Sequence, residues 1–200
     1  MAGKNRFTQA IDNLTEGLGS FAELIVVATV LIGFYNVVAR DVGQIIGVKL
    51  SFNTFLELQW MLFSLVFFLG FAYIMKNGIN VRVDFIYTNW SDKRKALVDF
   101  VGHILFLIPF CLLGIYVTIG PVLTSWGKAP KNNAWRFWEW TGSLEWSPDP
   151  GGLAFAPIKT MIILAFVMLL LQTLSDLTKL WAVIQGKRPL NDAEAPIRIE

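Results

Sequence analysis

Apolar residues along this chain fall into four long blocks separated by polar stretches. Each block has about the 20 residues a helix needs to cross a hydrocarbon core. The pattern predicts spans over 21–39, 55–75, 96–125 and 157–183. Ahead of them, 4–18 is shorter and mixed. Phe7, Ile11, Leu14 and Leu18 recur at alternating four- and three-residue steps, while Asn5, Gln9, Asp12, Asn13 and Glu16 fall elsewhere. That spacing places the apolar set on one helical face and predicts an amphipathic helix in the membrane interface. The connection 126–156 carries Trp126, Trp135, Trp138, Trp140 and Trp146 with Phe137, then Ser147-Pro148-Asp149-Pro150-Gly151-Gly152. Aromatics of this kind gather at membrane surfaces, so a short interfacial helix followed by a tight Pro/Gly turn is expected there. The tail 184–200 is polar. The fold class is an all-α integral membrane protein of one domain, with four transmembrane helices and two interfacial ones.

Composition strengthens this reading. Hydrophobic residues make up 54% of the 200 residues, too many for a soluble domain of this size. Buried in lipid, such segments satisfy their own backbone polar groups only as helices. The net charge of +2 matters less than where the charges lie. Eleven of the 17 lysines and arginines sit in the N-terminus, the central loop (Lys76, Arg82, Lys93, Arg94, Lys95) and the tail. Six lie on the other side: Arg40, Lys49, Lys128, Lys131, Arg136 and Lys159. The positive-inside rule then predicts cytoplasmic termini and an external aromatic loop.

Polar residues inside or beside the spans are the candidates for chemistry. Asn36 and Arg40 lie four apart, on one face at the end of the first span, where a partner helix and an interfacial stop are competing readings. Thr54-Phe-Leu-Glu57 resembles a capping box, with Glu57 reaching back to the start of the second span. Gly70 and Ala72 offer a close approach for a neighbouring helix. Val81-Arg82-Val83-Asp84 alternates apolar and charged residues in the central loop. The third span is longer than a crossing needs and is expected to be tilted or kinked at Pro109, and His103 suits a hydrogen bond to a neighbouring helix. Gln172 is the strongly polar interior residue of the fourth span and would orient that helix.

The functions these residues exclude are as informative. One histidine and one cysteine argue against a multi-ligand metal or haem site and leave no disulfide framework. No nucleophile–base set, phosphate-cradling glycine loop or paired mid-membrane carboxylates can be read from the spacing, so no enzyme and no nucleic-acid partner is expected. Two rival classes remain open. A haem-binding membrane anchor of a redox enzyme needs a second axial ligand beside His103. A stand-alone dimeric exporter needs an embedded carboxylate, and Glu23 and Glu57 lie near helix ends.

Taken in order, Asn36-Val-Val-Ala-Arg40, Glu57, Leu69-Gly70 and Val81-Arg-Val-Asp84 resemble the small, DctQ-like membrane subunit of tripartite ATP-independent periplasmic (TRAP) transporters. The turn Ser147-Pro148-Asp149-Pro150-Gly151-Gly152-Leu153 and the run Leu169-Leu-Leu-Gln172 look like the subgroup associated with 2-oxo acids, mannitol-type and chloroaromatic compounds. Asn80 departs from the histidine many relatives carry there. The resemblance implies a scaffold role in the bacterial inner membrane, beside a large many-span subunit that holds the substrate and sodium sites. It also implies a periplasmic binding protein delivering an organic acid, and no cofactor in this chain. On that view Asn36, Arg40, Glu57, Gly70, Arg82, Asp84, Trp138, Trp140, Ser147, Pro148, Gly151, Gly152 and Gln172 are structural or interfacial residues, facing subunits and membrane lipids rather than substrate.

Overall fold

A computed structural model describes residues 6–78, 90–130, 138–140 and 143–187. Its helices are α1 (Arg6–Ile46), α2 (Asn53–Lys76), α3 (Asp92–Ser125) and α4 (Ala156–Ile184), each long and apolar enough to cross a membrane. Strands β1 (Lys128–Pro130) and β2 (Trp138–Trp140) follow α3 and pair antiparallel, Lys128 opposite Trp140 and Pro130 opposite Trp138. The all-α membrane class stands. In the described part of the outer loop, however, a small strand pair occupies the place of the expected helix.

The N-terminal segment differs too. It is the start of an unbroken 41-residue α1 rather than a separate helix. At 1.5 Å per residue α1 is about 60 Å long, against roughly 30 Å of hydrocarbon. The facing is also changed. Phe7 (54% exposed) and Leu14 point outward, while Thr8, Ile11 and Thr15 are buried. An apolar exterior costs nothing in lipid, so the polar partners available on α4 decide which side turns inward. Beyond the predicted end at 39, α1 continues to Ile46 and closes at Gly47. There φ is +71° and Val48 N–H reaches the Gly43 carbonyl at 3.0 Å, the left-handed glycine ending of a Schellman motif.

In α3 the regular helix is interrupted by a π-turn over His103–Leu107. Pro109, which has no N–H to donate, stands just past it. The disturbance predicted at Pro109 therefore takes the form of a widened turn. A second proline, Pro121, lies inside the helix. Thr124 and Ser125 hydroxyls there donate to the Gly120 and Pro121 carbonyls at 3.1 and 2.9 Å.

By internal packing the described residues form two compact units. The first takes 6–19, 69–78, 90–115 and 165–187, the second 20–68, 116–130, 138–140 and 143–164. In the first unit, Ala96 of α3 packs on Leu180 and Val183 of α4, with Phe100 and Ile184 alongside. Phe100 stacks near Trp181 at 5.6 Å, and the Phe110 and Phe166 rings meet edge-on, also at 5.6 Å. Gly114 leaves room for Phe166, since a Cβ there would lie 2.5 Å from the ring. In the second unit, Tyr35 of α1 meets Phe55 of α2 edge-on at 5.2 Å, and Trp60 lies against Phe155 at 6.0 Å.

Candidate functional site

Two polar clusters are built from residues far apart in sequence, one in each unit.

In the second unit the cluster is organised by Glu57, one turn into α2 and only 3% exposed. Its carboxylate accepts hydrogen bonds from the Ser147 hydroxyl and the Leu153 backbone N–H. Thr54, one helical turn earlier, donates its hydroxyl to the Gly151 carbonyl at 2.6 Å. The capping-box reading is therefore corrected: Thr54 and Glu57 together grip the outer turn. They can do so because α2 begins at Asn53, which places both side chains on a first turn that faces the turn rather than their own amides.

The turn is shaped by its own sequence. Gly152 N–H donates to the Asp149 carbonyl at 2.9 Å, Pro150 holds the second position, and Gly151 takes φ +75° at the third. This is the residue pattern of a type II turn. Gly152 has no substitute, because a Cβ would stand 2.4 Å from the Ser147 Cβ. Ser147 and Leu153 close the base of the turn, with Ser147 N–H on the Leu153 carbonyl at 3.0 Å, and Trp146 bridges Ala154.

Below it, Glu145 receives Lys159 of α4 at 2.5 Å and the buried Ser125 hydroxyl of α3. These two donors hold the Glu145 carboxyl below its ordinary value, against a smaller upward push from burial. Trp126 donates its indole N–H to Thr160 at 2.8 Å. The turn is thus tied to α2, α3 and α4.

In the first unit, Gln172 of α4 is fully buried. Its side-chain carbonyl accepts from the Thr15 hydroxyl at 2.9 Å, and its amide donates to Asp12 at 3.3 Å and Asp176 at 3.1 Å. Lys179 lies between the same two carboxylates, at 2.9 and 3.0 Å, and Ser175 donates to Asp12 at 3.1 Å. Lys76 of α2 pairs with Glu16 nearby on α1. Two carboxylates sharing one partly buried ammonium, with every amide atom of Gln172 engaged, make a structural knot rather than a reactive site. Among the described residues no group of three or more metal-ligating side chains converges.

Of the residues singled out from sequence, Glu57, Ser147, Gly151 and Gly152 are brought together, and Pro148 lies in the same turn, exposed. Asn36 is buried and accepts from Ser51 at 2.6 Å. Arg40 does not join it; its guanidinium is exposed and 3.5 Å from the neighbouring Asp41. Among the described residues, a Cβ at Gly70 would have within 4 Å only Ile74 of its own helix. Trp138 and Trp140 are strand residues by backbone pairing. Arg82 and Asp84 lie outside the described residues.

Sequence reasoning missed Asp12, Asp176 and Lys179. A readable signal was present: Thr8, Asp12 and Thr15 on α1, and Gln172, Asp176 and Lys179 on α4, each follow i, i+4, i+7 spacing. These are two polar stripes fit to meet each other.

Four crossing helices whose polar groups bond largely to one another define a multi-pass membrane component. Residues 29–183 match the family described as tripartite ATP-independent periplasmic transporters, DctQ component. The chain belongs to that family, and so is a small TRAP transporter subunit and not an enzyme. Comparison with curated proteins and with solved structures finds no match.

Proposed function

We propose that this chain is the fixed scaffold element of a sodium-coupled, binding-protein-dependent importer of an organic acid. A large many-span subunit carries the substrate and sodium sites and moves against it as an elevator. This chain holds no cofactor of its own. It lies in the bacterial inner membrane with both termini in the cytoplasm, as the lysine and arginine distribution favours. The outer turn, on the periplasmic side, helps seat the soluble binding protein.

One observation carries this reading beyond family membership. The polar groups buried in the helices are engaged inside the chain at Gln172, Asn36 and Glu57, while bulky apolar side chains point outward along α1, α2 and α3. Phe34, Phe63 and Phe106 are examples, Phe106 being 75% exposed. A surface of that kind suits packing against lipid and another membrane subunit.

The test is to tag the chain, extract native membranes in mild detergent and identify what co-purifies. A stoichiometric many-span subunit is expected, and uptake by that subunit in liposomes should be lost when this chain is left out. A stable homo-oligomer that transports alone would overturn the proposal.

A further inference from the structure

The first unit contains a half-open cleft that neither polar cluster uses. Its volume is about 460 Å³, and it is walled by Ile74 and Met75 of α2, His103 and Leu107 of α3, and Phe166 and Leu169 of α4. The wall is apolar apart from His103. The π-turn forms one side of it, because His103 and Leu107 are its first and last residues.

The cleft has a charged counterpart at one end of the same unit. Lys93 and Arg94 are exposed in the first turn of α3, and Lys187 is exposed just past the end of α4. Lys93 lies close to Gly186, so the two helix ends share one basic rim. Asp92 is the carboxylate in the same turn of α3. At 1.5 Å per residue, α3 descends about 15 Å from Lys93 to His103 and about 25 Å to Phe110. Along α4, Gly186 to Leu169 gives about 25 Å as well. The two helices therefore agree on the depth of the cleft below the cations.

That arrangement matches a phospholipid. Half of the hydrocarbon core is about 15 Å deep, the headgroup phosphate lies above it, and lysine and arginine extend toward headgroups from below. We propose that this cleft holds the distal part of one acyl chain of an anionic phospholipid whose phosphate is bound by Lys93 and Arg94. This inference rests on the membrane placement of the chain and not on the transport reading.

The test uses the full-length chain, purified in mild detergent and offered dioleoyl phosphatidylglycerol or dioleoyl phosphatidylcholine, with retained lipid counted by native mass spectrometry. One phosphatidylglycerol should be retained with a preference of roughly tenfold or more, in keeping with two interfacial cations. Lys93→Gln with Arg94→Gln should bring the two lipids near parity. Filling the cleft by Leu107→Trp, or independently by Ile74→Trp, should remove retention of both lipids while helicity by circular dichroism is unchanged. Equal retention of the two lipids by the parent chain would overturn the proposal. So would undiminished phosphatidylglycerol on a filled variant of normal helicity. A cross-link from Leu107→Cys to another protein, with no lipid retained in that complex, would also overturn it, by giving the cleft to a protein partner.

Discussion

Replacing Glu57 tests the outer clamp most directly. The carboxylate is 3% exposed and accepts from two donors of different kinds, a hydroxyl that can rotate and a backbone N–H that cannot. Hydrogen bonds to a charged group contribute about 1.5–3 kcal/mol each, and a buried donor left without an acceptor carries the desolvation penalty. Glu57→Leu orphans both donors, so a loss of about 3–6 kcal/mol is expected. Glu57→Gln keeps one carbonyl for the Leu153 N–H, and its amide can donate to a rotated Ser147 hydroxyl. About 1–2 kcal/mol should be lost there, chiefly from the missing charge. For a chain of this length each kcal/mol corresponds to about 2–4 °C. In mild detergent, tryptophan fluorescence should then place the Leu variant roughly 10 °C below the Gln variant. A double-mutant cycle separates this clamp from a helix cap. Glu57→Leu and Ser147→Ala should couple by about 1–2 kcal/mol, because the second change removes one of the donors the first orphans. A cap would show no coupling to Ser147. Coupling within 0.5 kcal/mol of zero, or equal melting of the Gln and Leu variants, would refute the reasoning.

Three further outcomes can be checked on the same preparation. Lys179→Met strands Asp12 and Asp176 together and should cost about 3–5 kcal/mol, with partial recovery on adding Asp12→Asn; no recovery would mean that the two carboxylates are not sharing the ammonium. Gly114→Val drives a side chain into the Phe166 ring and should cost about 1–3 kcal/mol, relieved by Phe166→Ala if that contact is the cause. The Glu145 carboxyl lies below its ordinary value of 4.5, held chiefly by Lys159 and Ser125. Its contribution to stability is therefore complete above about pH 4.5 and is lost as pH falls toward the folded value. Lys159→Gln should flatten the acid limb of a melting-temperature profile, and an unaltered limb would remove that attribution.

How far the sequence could be read divides along physical lines. The spans were legible because transfer into lipid depends on the composition of a window and not on what lies beside it. The helix ends were less so: α1 passes 39 because Arg40 and Asp41 stay exposed on a helix that needs no apolar neighbours to continue to Gly47. The facing of the first turns is not legible from periodicity, since apolar residues in a membrane protein are free to point outward. Phe7 does so while Thr8 and Thr15 turn in. The Ser147–Gly152 turn was visible from its prolines and glycines, but its attachment to Glu57 was not. The pattern Thr54–Glu57 satisfies a local rule and a distant contact equally well, and 90 residues separate Glu57 from Ser147. The knot of Asp12, Gln172 and Lys179 is a pairing of two stripes, each unremarkable until the other is set against it.

The widened turn at His103–Leu107 also bears on how relatives should be aligned. A π-turn is an α-helix that has absorbed one additional residue. An ordinary insertion would swing everything after it by about 100°; here the swing is confined to five residues, and Phe110 still reaches Phe166. A gap-free alignment that treats 92–125 as uniform helix would therefore assign one half of α3 to the wrong faces. By the same reasoning, a chain lacking one residue in this stretch should keep its packing on both sides as a plain helix, making 103–107 a place where this helix tolerates a change of length.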